Sequence, residues 1–316
     1  MLVNADKPHL WKNDAAASID LYNDWFMRSA PKTYREVRTE TIERVQETIR
    51  LTKNLILLNA ETLKANPSIL PILRMCTAPP IAKDRLVGLA YVSKHLVLSM
   101  EQGKIPPRMS EEKLIERLLS IAEILAKLLD YDIFPWLERK TAPTDLEQNR
   151  ASTIVADRLC GTVSDPIIRN AQEQRQLALI AAYLKKRNYT EQLHKLGLSF
   201  RDLLPGTFAF RLNVLAGRDR TVNVPVDVVV QPHGHYSGDL PILIEAKSAG
   251  DFTNTNKRRK EEATKVNQLR ARYGEDIQFI LFLCGYFDAG YLGYEAAEGI
   301  DWIWEHRIED MELLGI

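Results

Sequence analysis

The sequence predicts an α/β protein in which a mixed β-sheet flanked by helices follows an all-helical N-terminal domain. Apolar residues recur at three- and four-residue spacing through residues 14–150, which indicates amphipathic helices. After residue 205 the apolar period becomes two, which is typical of strands. A charged helical segment precedes the last strand, as expected when helices pack on the faces of a mixed sheet.

Prolines divide the N-terminal half into separate helices. The segments 41–58 and 111–133 carry Leu, Ile and Val at helical spacing, and proline-containing turns separate such segments. Residues 139–150 are polar and contain a proline, which favours a domain boundary. We therefore expect a helical domain at residues 1–150 and an α/β domain at residues 151–316.

The C-terminal half contains four β-rich runs and two further helices. One helix, at 166–187, precedes the strands, and a charged helix at 257–273 lies between the third and fourth runs. The four runs are residues 206–217, 221–231, 240–248 and 276–287.

Composition excludes several classes of protein. Hydrophobic residues make up 45% and charged residues 27%, which is typical of a globular protein and not of a disordered or collagen-like chain. The 42 Lys and Arg balance 42 Asp and Glu, so overall charge indicates neither a nucleic acid nor a membrane partner. Three distant cysteines, no apolar membrane span and no secretion signal predict a cytoplasmic protein.

Two carboxylates and a lysine lie on apolar strands. In the run 240–248, side-chain alternation places Leu243, Glu245 and Lys247 on one face. In the run 221–231, the same rule places Asp227 opposite a face that carries four valines, Val224, Val226, Val228 and Val230. The pattern therefore sets charged groups on strands that are otherwise suited to a buried core.

A hairpin across residues 232–239 would place Asp227 opposite Glu245. The Cβ atoms of such cross-strand partners are roughly 4.5–5.5 Å apart, where like charges destabilise the sheet unless a cation lies between them. Two carboxylates with a backbone carbonyl, here that of Ala246, suit Mg²⁺. The sequence therefore predicts a Mg²⁺ site on this hairpin.

Lys247 beside this metal site indicates that the reaction is phosphodiester hydrolysis. A divalent cation can lower the pKa of a bound water and stabilise the charge that develops on a phosphodiester under attack. Lys247, two residues beyond Glu245, would orient or deprotonate that water and share the phosphate charge. Hydrolysis of a sugar–phosphate backbone is the predicted reaction.

The charged helix predicts a contact surface for DNA. Asn254 and Asn256 are candidate N-caps, and Glu261 and Glu262 are expected to pair with the preceding basic residues. Cations near a helix N-terminus oppose the helix dipole, and a phosphate backbone would relieve that conflict. The basic residues of this predicted surface are Lys257, Arg258, Arg259, Lys260 and Lys265.

Asp227 followed by Glu245-Ala246-Lys247 resembles the active-site motif of the PD-(D/E)xK nucleases. The sequence departs from that motif where Val226, and not a proline, precedes the aspartate; Pro225 lies one residue earlier. Four longer stretches also resemble the XamI-like restriction endonucleases, namely residues 75–90, 156–177, 245–263 and 282–310. The resemblance implies a restriction-endonuclease-like core and Mg²⁺-dependent cleavage of double-stranded DNA at a short palindromic sequence. It also implies a homodimer and a cognate DNA methyltransferase.

The resemblance also implies residue roles. Asp227 and Glu245 would be metal ligands and Lys247 the catalytic lysine. Members of the superfamily often add an acid from a helix ahead of the first core strand, and Glu173 is the candidate here. Some relatives use a Gln–Tyr pair after the lysine, but Gln268 and Tyr273 differ from that spacing by one residue.

Other interpretations of these residues remain open. A structure-specific repair or recombination nuclease would use the same core, and a DNA-binding module without activity would leave Glu245 and Lys247 as a surface ion pair. A helical scaffold that does not bind nucleic acid is a third alternative. His233 and His235 have a spacing that could hold zinc, although a turn with exposed histidines is the simpler interpretation.

Overall fold

The chain is a mixed α/β protein, as the sequence predicts. The computed structural model describes residues 2–162, 164–193, 199–218, 221–236, 238–252 and 255–316. It divides into two units. Residues 1–31 and 168–316 form the first, which we call the sheet unit, and residues 32–167 form the second, the helical unit.

The helical unit has an all-α core. Helix α1 spans Pro8–Leu51 and contributes its second half to this unit. The shorter helices that follow are α2 (Ala60–Ala65), α3 (Leu70–Met75), α4 (Lys83–Ala90), α5 (Lys94–Glu101), α6 (Glu111–Lys127), α7 (Pro135–Arg139) and α8 (Asp145–Thr162). Helix α6 shows why they pack together, because its buried residues recur at helical spacing, at Leu114, Leu118, Ile121, Ala122 and Leu125.

Two helices end earlier than the sequence predicts. Helix α1 ends at Leu51 and not near residue 58, because Lys53, Asn54 and Leu55 adopt left-handed backbone angles. Helix α6 ends at Lys127 because Leu129 pairs with Thr77 in an isolated bridge. In both places tertiary contacts end a helix that the apolar spacing alone would continue.

Among the residues that the structure describes, the sheet unit contains six strands, and their spatial order follows the chain. They are β1 (Thr190–Glu191), β2 (Thr207–Ala216), β3 (Val222–Gln231), β4 (Ile242–Ala249), β5 (Phe279–Gly285) and β6 (Asp301–Trp304). Strands β2, β3 and β4 form an antiparallel meander, whereas β1 is parallel to β2 and β5 is parallel to both β4 and β6. The predicted mixed sheet is therefore confirmed, and the four predicted strands correspond to β2–β5.

Helices cover both faces of this sheet. Helix α9 (Ser164–Lys186) precedes the strands, α10 (Thr255–Tyr273) connects β4 to β5, and α11 (Ala289–Ala297) connects β5 to β6. Parallel neighbours require such crossover connections. One face of the sheet packs with α10 and α11 through Val266, Leu269 and Leu292, and we call it the α10 face. The opposite face packs with α9 through Leu177, Ile180 and Leu184, and we call it the α9 face.

The N-terminal residues belong to the sheet unit, which differs from the expected boundary near residue 150. That boundary falls inside helix α8. Asp301, at the start of β6, accepts hydrogen bonds from three consecutive backbone N–H groups near the N-terminus, those of Val3, Asn4 and Ala5. These contacts join the first residues of the chain to the last strand of the sheet, a long-range pairing that sequence periodicity does not reveal. None of the helices in the described ranges is long and apolar enough to cross a lipid bilayer.

Asp301→Asn is expected to lower the melting temperature (Tm) of the protein. A hydrogen bond to a charged acceptor contributes about 1.5–3 kcal/mol, and the amide replaces one acceptor oxygen by a donor facing backbone N–H groups. Thermal unfolding followed by circular dichroism at neutral pH measures the change. Asp6→Asn is the matched control, because Asp6 is exposed. Equal Tm values for the two variants would contradict this account of the N-terminus.

Candidate active site

The hairpin of β3 and β4 has the predicted register. Its three paired positions are Val228 with Ile244, Val229 with Leu243, and Val230 with Ile242. One further step in this register brings Asp227 opposite Glu245. The ladder has ended there, and the backbone N–H of Ala246 donates to Oδ2 of Asp227 at 2.9 Å. The Asp227 carboxylate thus accepts the hydrogen bond that a backbone carbonyl of β3 would accept if the ladder continued.

Asp227 lies where β3 changes the face on which its side chains pack. In the β2–β3 ladder, Phe210 pairs with Val228 and Leu212 pairs with Val226. Arg211, between the two β2 positions, has a left-handed φ of 54°. An arginine rarely adopts this conformation, so it marks a local distortion of the strand.

The predicted placement of the β3 valines on a single face is wrong because of this distortion. Val224 and Val226 pack on the α10 face, whereas Val228 and Val230 pack on the α9 face. Regular alternation would keep all four together. The sequence carries no signal for the reversal, since it depends on the backbone of Arg211 in the neighbouring strand.

Strand β4 alternates as predicted. Leu243 packs on the α10 face, and Ile242 and Ile244 pack on the α9 face. Glu245 is buried, and its Oε1 accepts from Lys247 Nζ at 3.0 Å and from Lys265 Nζ of α10 at 2.6 Å. Its second oxygen, Oε2, is buried and has no hydrogen-bond partner among the described residues. Glu245 therefore keeps one acceptor oxygen available inside the protein.

Burial and like charge control the protonation of this site. Burial, followed by the charge of Glu245, raises the pKa of Asp227 to about 6, although the Ala246 N–H and Lys247 act in the opposite direction. Burial alone would lower the pKa of Lys247, but the surrounding carboxylates, with Glu245 foremost, outweigh it and leave that pKa raised. Two acids and an ammonium are thus held together at the end of the hairpin.

Glu173 of α9 approaches the same place from another direction. Its Oε1 accepts from Arg211 Nη2 at 2.8 Å, and its charge also acts on Asp227. Both residues border a cleft of about 490 Å³, whose lining consists of Asn170, Glu173, Gln174, Arg211, Pro225, Val226 and Asp227. The cleft gives Asp227 access to solvent, and Glu245 and Lys247 are not part of its lining.

The sequence analysis missed a buried acidic cluster behind Lys247. Glu262 of α10 was expected to pair with the basic residues before it, but it is buried and its Oε1 lies 3.5 Å from Lys247 Nζ. Tyr291 Oη of α11 donates to the other oxygen of Glu262 at 2.6 Å. Helical spacing could have indicated this burial, because Glu262 precedes the buried Val266 and Leu269 by four and seven residues.

Glu295 completes this cluster and is fully buried. Neither of its carboxylate oxygens accepts a hydrogen bond within the described part of the chain. Burial, followed by the charge of Glu262, raises the pKa of Glu295 to about 9. At neutral pH Glu295 is therefore protonated, and the carboxyl proton is available to a neighbouring acceptor.

The predicted DNA surface is described only in part. The helix itself is present as α10, and Lys260 is exposed. Lys265 is bonded to Glu245 and so belongs to the site in this state of the protein. Asn254 lies outside the described residues, as do the side chains of four others, Asn256, Lys257, Arg258 and Arg259.

His233 and Tyr273 make contacts outside the candidate site. The His233 ring lies 4.3 Å from the Tyr189 ring, centroid to centroid, and its Nε2 is 3.3 Å from the Arg187 carbonyl oxygen. Tyr273 packs edge-on against Phe200. Within the ranges that the structure describes, no group of three or more His, Cys, Asp or Glu residues forms a metal-binding cluster.

Glu295→Gln is expected to stabilise the protein increasingly as pH rises. The folded protein retains a proton on Glu295 that the unfolded chain releases near pH 4.5, so this residue costs stability progressively from there up to about pH 9. Glutamine does not ionise, so the Tm advantage of the variant should be larger at pH 8.5 than at pH 5. The exposed neighbour substitution Glu261→Gln is the control. Thermal unfolding in EDTA tests this, and a Tm difference independent of pH would contradict it.

Comparison with known proteins identifies the family. Residues 53–304 match the family model described as XamI restriction endonuclease. The chain is also 55% identical over 314 residues to the type II restriction enzyme SalI of Streptomyces albus G, an alignment that covers 99% of this chain and 100% of that protein. No solved structure gives a significant match. The chain therefore belongs to the XamI restriction endonuclease family.

Proposed function

We propose that this type II restriction endonuclease hydrolyses double-stranded DNA at a short palindromic sequence with Mg²⁺ bound by Asp227, Glu245 and the Ala246 carbonyl. One observation carries the proposal. The Asp227 carboxylate accepts a hydrogen bond from the backbone N–H of Ala246, the residue next to Glu245. The Oε2 atom of Glu245 is buried and has no hydrogen-bond partner among the described residues. A buried acceptor next to a second carboxylate is the arrangement that a cation would relieve.

The donor set fits Mg²⁺ better than a softer metal. It consists of oxygens, and Mg²⁺ is commonly held by one or two protein carboxylates together with waters and substrate phosphate. In a strand, the N–H and C=O of one residue face the same neighbour, so the Ala246 carbonyl lies on the edge where Asp227 binds. The small number of protein ligands is therefore sufficient for this ion.

The side chains around this site would have different roles in hydrolysis. A bound divalent ion would supply positive charge to the phosphate and make water more acidic. Lys247 Nζ, held at 3.0 Å from Glu245, would donate hydrogen bonds to the attacking water and to a phosphate oxygen. Glu173 would accept a hydrogen bond from water in the cleft that it shares with Asp227.

The N-terminal turns of α10 would bind the DNA backbone. This surface comprises Asn254, Asn256, Lys257, Arg258, Arg259, Lys260 and Lys265. Helix N-termini and basic side chains both attract phosphate, and the helix connects directly to the strand that bears Glu245 and Lys247. Lys265 now donates to Glu245. With a metal ion on Glu245, Lys265 would instead contact a DNA phosphate.

The assembly proposed is a homodimer that acts together with a cognate DNA methyltransferase. A two-fold dimer matches the symmetry of a palindromic site, and methylation of that site would protect the host DNA. We place the enzyme in the cytoplasm. The three cysteines, Cys76, Cys160 and Cys284, are free and buried, which is compatible with a reducing compartment.

Digestion of unmethylated phage or plasmid DNA tests this function. With Mg²⁺ the wild type should give discrete fragments whose sequenced ends share one motif, and EDTA should prevent cleavage. Asp227→Ala and Lys247→Ala should each lower the single-turnover rate by roughly 100-fold or more, since each removes part of the electrostatic stabilisation. Both should still bind the DNA in Ca²⁺.

Matched exposed substitutions provide the controls, Asp276→Ala and Lys185→Ala, and both should cleave as the wild type does. Fragments with no shared end sequence would indicate a structure-specific nuclease. DNA binding without cleavage under any metal condition would indicate a module without activity. Normal cleavage by Asp227→Ala and Lys247→Ala would place the chemistry on other residues.

Lys260→Ala is expected to weaken DNA binding equally for specific and unrelated sequences. Loss of one phosphate contact should reduce the slope of log K against log salt by about 0.9. Fluorescence anisotropy in Ca²⁺ at several salt concentrations measures that slope. Lys185→Ala, an exposed lysine outside the proposed surface, should leave it unchanged. An unchanged slope for Lys260→Ala would remove this residue from the DNA contact.

A further inference from the structure

We propose that Glu262 is a positioning residue for cleavage, a buried carboxylate that Tyr291 holds in place and that in turn holds the ammonium group of Lys247 at the active site. This inference rests on the proposed role of Lys247. It assigns a role in the reaction to a residue that lies outside the strand motif and that would not itself contact DNA or metal.

Lys247 has two carboxylate neighbours, and they differ in what else they do. Glu245 is a proposed metal ligand. Its Oε1 lies 3.0 Å from Lys247 Nζ and also accepts a hydrogen bond from Lys265. Glu262 Oε1, at 3.5 Å, has no hydrogen-bond donor of its own among the described residues. With a cation held by Glu245, the attraction of Glu245 for Lys247 would weaken, and Glu262 would be the remaining carboxylate beside the ammonium group.

Tyr291 determines which oxygen of Glu262 faces the lysine. Its hydroxyl donates to Oε2 at 2.6 Å, which leaves Oε1 on the side of Lys247. Tyr291 is itself buried and packs against Phe287 with ring centroids 4.9 Å apart. The carboxylate is therefore held by a rigid aromatic side chain rather than by a flexible one.

Stability alone does not account for a buried carboxyl group at this position. Glu262 is 1% exposed, and transfer of a charge into such an environment costs several kcal/mol unless it is paired. Replacement of buried ion pairs by apolar residues is often neutral or stabilising. The pairing with Lys247 offsets this cost in the present fold and restricts the lysine to one position.

Glu295 adds no second charge beside Glu262 at neutral pH. Glu295 is fully buried beside Glu262 and Tyr291, and its two oxygens accept no hydrogen bond within the described residues. Burial, followed by the charge of Glu262, raises the pKa of Glu295 to about 9, so Glu295 is neutral at neutral pH.

Glu262→Gln tests the proposal, because it preserves shape and removes charge. We expect the single-turnover cleavage rate in Mg²⁺ to fall roughly 10- to 100-fold, the range associated with loss of precise positioning. The DNA dissociation constant in Ca²⁺ should stay within about twofold of wild type. Tyr291→Phe should lower the rate by a smaller factor. Glu261→Gln, the same change at the exposed neighbouring position, should cleave normally.

A double-mutant cycle separates positioning from general support of the fold. Unfolding free energies of Glu262→Gln, Lys247→Met and the double variant should be non-additive, since the two side chains interact directly. Additive values together with an unchanged cleavage rate for Glu262→Gln would overturn the proposal. If Glu262→Gln does not fold, the cleavage rate of Tyr291→Phe tests the proposal instead. A wild-type rate for Tyr291→Phe would also overturn the proposal.

A different experimental result would contradict the proposed function itself. If Lys247→Ala cleaves DNA as fast as wild type, then Lys247 has no catalytic role, and the premise of this inference is lost. If Lys247→Ala is inactive while both Glu262→Gln and Tyr291→Phe are fully active, the lysine keeps its role and Glu262 does not position it.

Discussion

The hydrogen bond from the Ala246 N–H to the Asp227 carboxylate is the contact on which the site depends. It forms where the β3–β4 ladder ends, so the backbone donor that would continue the sheet instead binds a side chain. This exchange brings a second carboxylate next to Glu245 in a partly buried environment. Burial and the charge of Glu245 together raise the pKa of Asp227, and a cation held between the two carboxylates would relieve their repulsion.

The connection through α10 supplies the remaining charges. Because β4 and β5 are parallel, the chain must cross over the sheet between them, and it does so as a helix that covers the face carrying Glu245 and Lys247. One side of this helix brings Lys265 and Glu262 to those two residues. Topology therefore places helix residues at a site whose motif is confined to the strands.

Much of this arrangement could be predicted from local patterns. Period-two alternation and the length of the polar loop were sufficient for the register of the β3–β4 hairpin, which set Asp227 against Glu245. The face of β4 on which Glu245 and Lys247 lie followed from the same rule. These features depend only on residues close together in sequence, and for that reason they are accessible without coordinates.

Features that depend on distant residues were not accessible. The reversal of β3 at Asp227 arises from the backbone of Arg211 in another strand, and the short strand β6 is completed by contacts with the N-terminus. Glu262 had a helical signal for burial, but its partner Tyr291 lies 29 residues later. Sequence reasoning found the residues proposed to bind metal, and it missed the residue proposed to hold the lysine.

Four acids of this region, three of them buried and Asp227 partly buried, illustrate how environment assigns different tasks to one functional group. Asp227 and Glu245 lie near the cleft or carry an oxygen without a donor, so their charge is available to a cation. Glu262 accepts from Tyr291 through one oxygen and directs the other at Lys247, so its charge acts on another side chain. Burial, followed by the charge of Glu262, raises the pKa of Glu295 to about 9, so Glu295 is protonated at neutral pH. The acid in the core is therefore neutral at neutral pH, and the acids at the end of the hairpin are the ones proposed to bind a metal ion.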